Sequence, residues 1–374
     1  MYIKEIILEN FRNYKYQKIE LSKNTNIFFG DNAQGKTNIL ESIYFLALTK
    51  SYRTNDDNLI MKGEQNSKVV ADIRDTNVFK NLSVEFVNEE KKVKINNNLI
   101  NKISDYITSL NVVLVSPEDI NILQGTPAER RNFLNIELSQ LSKNYIKKYN
   151  EFNKILKIRN NYLKMNYNNM NFDSRYLDSL TENLIEREID IYQERNNFIE
   201  KINDNIGLIY KDIIGIDGFK VVYETNVEFD NFEREHLKER LISKYKKSLN
   251  KEIDNGMTLY GPHRDDFCLK INNEDIKVFG SQGQQKIAFL AIKFSEIKLF
   301  DDINLTKPII LLDDVFSELD RTKKNKLIKY IDTNYQLIIT TNDLKDISKK
   351  ILKDAKIFKI SNNKIIEEGG IDNG

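Results

Sequence analysis

Residues Gly30-Asp31-Asn32-Ala33-Gln34-Gly35-Lys36-Thr37 follow the spacing Gly-x-x-x-x-Gly-Lys-[Ser/Thr] without a departure. Each residue type there has a use on a triphosphate. The glycines let backbone N–H groups converge on phosphate oxygens with no Cβ in the way, Lys36 brings a cation between the β- and γ-phosphates, and Thr37 offers a hydroxyl to Mg²⁺. A helix opening at this point adds the positive end of its dipole. A second cluster suits the same reaction. Ile309-Ile310-Leu311-Leu312-Asp313-Asp314 is an apolar run closed by two carboxylates, the pattern of a buried parallel strand whose end meets a ligand at the mouth of a sheet. Asp313 is expected beside Mg²⁺, and Asp314 is expected to orient and partly deprotonate the attacking water. Together they predict an ATP and Mg²⁺ site. Lys36, Asp313 and Asp314 carry the chemistry, residues 30–37 hold the nucleotide, and Thr37 and Asp313 hold the metal.

These residues need elements to position them, and hydrophobic periodicity supplies candidates. Residues 3–8 and 26–29 read as strands, and 39–48 as a helix, so strand, glycine loop and helix follow one another directly. Over 69–115 the pattern becomes short alternating runs separated by turn-forming Asn, which predicts an antiparallel meander. From about 129 to 214 the period turns helical. One series runs Leu138, Leu141, Tyr145, Tyr149, Phe152, Leu156 and Leu163, and a second runs Ile185, Ile189, Tyr192, Ile199, Ile202, Ile206 and Ile209. The Asn-rich stretch 166–171 separates them, which predicts two long antiparallel helices with a coiled-coil-like seam and a polar tip. After Gly256 a glycine-containing loop, a helix over 284–300, a strand over 309–312, a helix after Arg321 and a strand over 337–340 restore an α/β pattern. The expected division is 1–130, with the phosphate loop and meander, 131–255, a helical arm returning to the first part, and 256–374.

Charge separates the two arm helices. Residues 139–164 carry Lys143, Lys147, Lys148, Lys154, Lys157, Arg159 and Lys164 against Glu151 alone, while 176–202 carries seven acids against Arg187, Arg195 and Lys201. Complementarity across the helix pair explains this, and so does a basic face that follows a phosphate backbone; both can hold at once. The whole chain of 374 residues is nearly neutral, with 57 Lys and Arg against 56 Asp and Glu, so any nucleic-acid footprint must come from segregated charge. One cysteine, Cys268, cannot form an internal disulfide and suits a reducing cytoplasm. Charged residues interrupt the first apolar positions, which argues against a signal peptide, and no run is long and apolar enough for a membrane span. With only His236 and His263, a histidine-based metal or triad site is improbable.

Gly280-Ser281-Gln282-Gly283-Gln284-Gln285-Lys286 lies just upstream of the acidic strand and before a helix. It resembles the signature loop of the ABC ATPase superfamily, and Ser317-Glu318-Leu319-Asp320 resembles its D-loop, although a helix-capping turn explains Asp320 as well. The resemblance implies that Ser281, Gly283, Gln284 and Asp320 help hold nucleotide, with the signature loop meeting the γ-phosphate bound by another copy, hence an ATP-induced homodimer. The long helical insertion between phosphate and signature loops resembles the SMC-type DNA ATPases, with a short arm in place of a long coiled coil. Five blocks are similar to the RecF family: Leu8-Glu9-Asn10-Phe11-Arg12-Asn13-Tyr14, the phosphate loop continued through Arg53 and Thr54, 115–134, Gly261-Pro262-His263-Arg264-Asp265-Asp266-Phe267, and 280–286. With the acidic strand and its continuation, residues 311–320, they span residues 8–320 in family order.

The resemblance implies an α/β head of ABC/SMC type with an antiparallel β subdomain and an inserted helical arm. It also implies a cytoplasmic, nucleoid-associated protein of recombinational repair and replication restart. Such a protein binds gapped or junction-bearing duplex and single-stranded DNA, works with RecO and RecR to load RecA, supports SOS induction, and is a weak DNA-stimulated ATPase. Arg53, Arg130, Arg131, Lys147 and Lys148 are the candidate DNA contacts; for Arg53 an ion pair with Asp56 or Asp57 competes, for Arg130 and Arg131 a helix-start role, and His263 and Arg264 suit fold or ligand equally. Two departures stand out: no histidine lies near Thr341 where ABC ATPases place a switch histidine, and no glutamine lies near Ser116 or Pro117 where they place a metal-bridging one. Together with the shorter Asp314, they predict slow hydrolysis. A transporter ATPase subunit is disfavoured by the arm and the blocks. An ATPase-coupled nuclease is disfavoured because it needs an added acidic catalytic domain after the ATPase, and the roughly fifty residues after the D-loop fall short of the roughly 100–150 most common for a domain.

Overall fold

The computed structural model describes residues 1–75, 78–88, 90–166, 173–302, 306–317, 319–331 and 334–368. Packing divides the chain into two compact units, Met1–Ile120 with Ile209–Gly215 and Phe289–Gly374, and Asn121–Leu208 with Ile216–Ala288. The division does not follow chain order. Residues 121–130 and 256–288 pack with the helical region and not with the phosphate loop.

In the first unit, strand Thr25–Phe29 lies between Ala355–Ser361 and Leu337–Thr341 and is parallel to both. Leu337–Thr341 in turn pairs in parallel with Ile309–Asp313, and that strand with Val112–Val115. Lys364–Glu368 closes the opposite edge antiparallel. Ile309–Asp313, paired on both sides, is buried at every position, as a central parallel strand requires, and so is the edge strand Val112–Val115. Helix Lys36–Leu48 supplies Ile39, Leu40, Ile43, Leu46 and Ala47 to the core with no exposure at all. The second sheet of this unit is antiparallel, in the order Tyr14–Glu20, Tyr2–Phe11, Ser67–Asp75, Val78–Val87, Glu90–Ile95 and Asn98–Leu99. Asn96 and Asn97, both at positive φ, make its last hairpin turn. The expected meander therefore stops at Leu99. Val112–Val115 belongs to the central sheet, because a short run buried on both faces carries no alternation to reveal its partner.

In the second unit the first arm helix is two helices, Pro127–Leu141 and Lys143–Met165. Ser142 is extended, with φ −147° and ψ 112°. Its N–H closes the first helix on the Leu138 carbonyl, and its hydroxyl caps the second by accepting from the Tyr145 N–H at 3.1 Å. The apolar spacing continues through this break, so periodicity alone did not expose it. Helix Ser174–Ile214 runs antiparallel to Lys143–Met165: Lys148 meets Glu194 at 3.2 Å, Arg187 meets Glu151 at 3.2 Å, and Arg159 donates to Thr181 at 3.0 Å. The anticipated tip falls mostly at 167–172, outside the described residues. Strands Phe219–Glu224, Asp266–Ile271 and Glu274–Asp275 form a small antiparallel sheet, and helix Arg234–Asn255 lies between the first two in sequence.

The seam of this unit is also polar in its interior. Arg159, fully buried, donates to Glu252 at 2.6 Å and Thr258 at 2.8 Å. Glu188, likewise buried, accepts from the Tyr245 hydroxyl at 2.7 Å, and burial pushes its carboxyl well above the usual range. Part of the acidic character of the long helix is thus core chemistry and not surface complementarity.

Candidate nucleotide site

Strand Thr25–Phe29 delivers the chain to Gly30, whose φ of +152° and position against the neighbouring strand leave no alternative residue. A Cβ there would lie 2.3 Å from the Ile360 carbonyl oxygen. Gly35, at φ +100°, sits under Asn13 and Tyr14, whose side-chain atoms would be 2.6 and 2.8 Å from a Cβ. The loop is thus moulded from outside. Tyr14 donates to the Gly35 carbonyl at 3.2 Å, Asn38 to Asn13 Oδ1 at 2.7 Å, and the Asn362 N–H to Gln34 Oε1 at 2.6 Å. Asp31, Asn32 and Ala33 are exposed at its rim, with Ala33 at φ 64°.

Helix Lys36–Leu48 begins directly after Gly35. Lys36 is buried, and its ammonium donates to the Gly30 carbonyl at 2.6 Å, the Asp31 carbonyl at 2.8 Å and Asn342 Oδ1 at 2.9 Å. Burial lowers its pKa, opposed by the charges of Asp314, Asp313 and Asp31. Thr37 donates to Asp313 Oδ1 at 3.0 Å, so the hydroxyl and carboxylate expected to share a metal already face each other. Asp313 also accepts from Thr340 at 2.5 Å and from Tyr52 at 3.4 Å. Burial raises its pKa, offset by the bonds from Thr340 and Thr37.

The acidic strand is not next to the phosphate-loop strand. Leu337–Thr341 lies between them, and its end ties the two together. Asn342 accepts from Lys36 and donates to Asp314 Oδ2 at 3.2 Å, so one carboxamide bridges the phosphate lysine and the second acid. Asp314 itself sits at φ 48°, with its N–H on Thr340. The position anticipated for a switch histidine, near Thr341, thus has Asn342 as its neighbour in the site. Near Ser116, Asp119 accepts from the Ser116 N–H at 2.7 Å. Glu118 reaches Arg53 at 3.8 Å. Arg53 also lies 3.9 Å from the buried Glu41, which Arg12 holds by a two-pronged pair at 2.7 and 2.8 Å. The acids facing Arg53 are Glu41 and Glu118, and not Asp56 or Asp57, the pair weighed against a DNA contact. Asn13, Tyr14, Tyr52, Thr340 and Asn342 escaped the sequence reading; for the first two, the block at 8–14 was the available signal.

The signature-like loop lies in the second unit. Ser281 caps helix Gln282–Asp302 in a reciprocal box, its hydroxyl accepting from the Gln284 N–H at 3.3 Å and its N–H donating to Gln284 Oε1 at 2.8 Å. Ser281, Gln282 and Gly283 are exposed. In the first unit, Asp320 caps helix Arg321–Ile328 from Lys323 N–H at 2.9 Å, the capping role weighed for it. Glu318 lies outside the described residues.

The basic candidates divide. Arg130 is buried and forks onto Asp266 at 2.7 and 2.6 Å while donating to the Leu123 and Gly125 carbonyls, and Arg131 donates to the Asp265 carbonyl at 2.7 Å. Lys148 pairs with Asp190 and Glu194. Lys147 is exposed, as are Lys143, Lys154, Lys157 and Lys164, whose spacing lines them along one side of the helix. His263 approaches the Thr258 carbonyl at 3.2 Å, and burial lowers its pKa to about 4. Asp265, accepting from Tyr223 at 2.6 Å, is raised by burial to about 6. Both act inside the fold.

The parallel sheet, the moulded glycine loop and the acid-tipped strand define the head of an ABC/SMC-type ATPase. Solved Smc heads share that fold, one of them bound to the winged-helix domain of ScpA, at a TM-score of 0.55 and 14% identity over 99% of this chain and 98% of that one. The family model described as the RecF/RecN/SMC N-terminal domain matches residues 2–365. The chain belongs to the RecF family. It is 37% identical over 362 residues to the DNA replication and repair protein RecF of Listeria monocytogenes serotype 4b, covering 96% of this chain and 98% of that protein. It is 40% identical over 370 residues to that of Clostridium botulinum strain 657, covering 98% and 99%. A recombination mediator protein RecF solved with ATP, of the RecFOR pathway, superimposes at a TM-score of 0.89 with 32% identity, covering 98% of each chain.

Proposed function

We propose that this chain is an ATP-dependent DNA-binding protein of recombinational repair and replication restart, dimerising on ATP and hydrolysing it slowly under stimulation by DNA. The convergence of Lys36, Thr37, Asp313, Asp314 and Asn342 at the end of one parallel sheet carries this reading. Lys36 exchanges its carbonyl partners for β- and γ-phosphate oxygens. Thr37 and Asp313 offer hard oxygens suited to Mg²⁺, which takes one or two protein ligands and fills its shell with phosphate and water. Among the described residues no larger cluster of acids, histidines or cysteines competes for it. Mg²⁺ held by Thr37 and Asp313 would supply charge neutralisation at the phosphates. Asp314 accepts the proton of the attacking water as its oxygen bonds to the γ-phosphorus and the bond to the bridging oxygen of ADP breaks. Asn342 in place of a switch histidine supports a slow rate.

Ser281, Gly283 and Gln284 close over the γ-phosphate held by a second copy, with Asp320 nearby, and the exposure of Ser281, Gly283 and Asp320 supports that role. DNA, gapped or junction-bearing duplex and single strands, follows the basic residues. Of the proposed contacts Lys147 and Arg53 are exposed, while Arg53, Arg130, Arg131 and Lys148 also hold partners inside the fold. The RecFOR pathway of the ATP-bound relative supports RecO and RecR as partners, with RecA loaded downstream. A cytoplasmic, nucleoid-associated setting accords with this; among the described residues no helix is long and apolar enough to cross a membrane.

The test is binding to gapped duplex with ATP, ADP or no nucleotide, for wild type and Lys36→Arg. Wild type is expected to dimerise and bind tightly only with ATP, and Lys36→Arg to lose both together. Equal binding by a monomer in all three conditions would sink the reading.

A further inference from the structure

Gln285 follows the proposed nucleotide contacts and is buried, in contrast to the exposed Ser281, Gln282 and Gly283. Its amide nitrogen faces the carbonyls of Ile276 at 3.2 Å, Lys277 at 3.3 Å and Gly280 at 3.0 Å. These carbonyls belong to the first residues of the short helix Ile276–Phe279 and to Gly280, its C-cap, which leads into Ser281. The Ile276 carbonyl also receives the Gly280 N–H at 2.9 Å. One side chain on the first turn of the signature helix therefore gathers the backbone of the segment before the loop. The other end of Gln285 is held as well, since Gln124 donates to its Oε1 at 3.0 Å.

Gln124 belongs to a distant block of sequence, and its surroundings are fixed in turn. Arg130 donates to the carbonyls on both sides of Gln124, at Leu123 and Gly125, and its fork rests on Asp266. Lys277 also reaches the Gly125 carbonyl, at 3.5 Å. Two stretches far apart in the chain, 123–130 and 266–285, thus meet behind one exposed turn.

We infer that Gln285, braced by Gln124, is a positioning residue that fixes the signature turn in the shape that receives a second copy's triphosphate. A loop that must meet a γ-phosphate gains from being preorganised, because each backbone torsion ordered on association weakens binding. Neither glutamine has to touch nucleotide for this. Arg130 takes its place here as part of the brace. The inference rests on the proposed role of residues 280–286 in dimerisation.

The experiment compares wild type, Gln285→Leu and Gln124→Leu by dimerisation in a slowly hydrolysed ATP analogue with Mg²⁺, by binding of a fluorescent ATP analogue to the monomer, and by melting temperature. Both variants are expected to dimerise at least tenfold more weakly, with monomer affinity for the nucleotide unchanged. Turnover should depend on protein concentration more steeply than in wild type and recover at high concentration, which a general loss of fold would not allow. Gln124 is exposed, so Gln124→Leu decides the matter should Gln285→Leu fold poorly. If wild type dimerises and Gln124→Leu dimerises equally well, the brace is wrong and the dimer reading stands. If wild type stays monomeric in the analogue, the dimer reading fails and takes the inference with it.

Discussion

Gly30 and Gly283 are both glycines of proposed nucleotide contacts, and the fold treats them in opposite ways. Gly30 is demanded by its own chain, since a Cβ would strike the backbone of the adjacent strand. At Gly283 a Cβ meets nothing within 4 Å among the described residues, and the position lies in the first turn of a helix. The first site is built to hold itself in shape. The second presents an open surface, and whatever requires a glycine there comes from outside the chain.

That contrast can be broken most directly at Gly30. Gly30→Ala is expected to cost about 3 kcal/mol or more, because neither the Ile360 carbonyl nor the φ of +152° can give way cheaply. Denaturant unfolding measures it, and a loss under about 1 kcal/mol would show that the strand ends relax. Gly283→Ala is expected to fold at least as well as wild type, more stable by up to about 1 kcal/mol from helix propensity. Its ATP-dependent dimerisation should nevertheless fall tenfold or more. A stable Gly283→Ala that dimerises normally would leave the open surface without a function.

The next effect concerns the second unit's interior. His263, lowered to about 4, binds fewer protons folded than unfolded between pH 4 and 6.5, so it adds stability as pH rises through that window. Asp265, raised to about 6, binds more protons folded than unfolded between its ordinary value and pH 6, so stability declines there as pH rises. The two trends offset each other within one short motif. Comparing wild type with His263→Gln isolates the first: the difference should move in favour of wild type by about 2–3 kcal/mol from pH 4 to 6.5. A constant difference across that range would refute it. The smallest expected effect is at the arm. Lys147→Ala should weaken duplex binding without regard to sequence and reduce the slope of log affinity against log salt by about 1. An unchanged slope would move the DNA path elsewhere.

What the sequence disclosed follows from how local each constraint is. The strand, loop and helix over 25–48 were legible because an apolar run, two fixed glycines and a helical period lie within one stretch. The acidic strand was legible for the same reason, and the arm showed as a pair of helical periods. Strand partners were not legible. Val112–Val115 joined Ile309–Asp313 across nearly two hundred residues, and Leu337–Thr341 came between the two chemical clusters. With it came Asn342, whose bridge between Lys36 and Asp314 depends on sheet order. The pairing of Arg130 was not legible beside its readings as a phosphate contact or a helix-start residue, because its partner Asp266 is 136 positions away. Lys147 and Lys148 were candidates alike, yet only Lys147 is exposed, while Lys148 on the next position turns to the opposing helix.

Lys36 has three N–H donors, and three oxygens of its own chain receive them. A triphosphate entering the loop is therefore a competitor for an occupied cation, and its measured affinity is a difference between two sets of bonds. Weakening the internal set, for example by Asn342→Ala, should then tighten nucleotide capture even while it disturbs turnover.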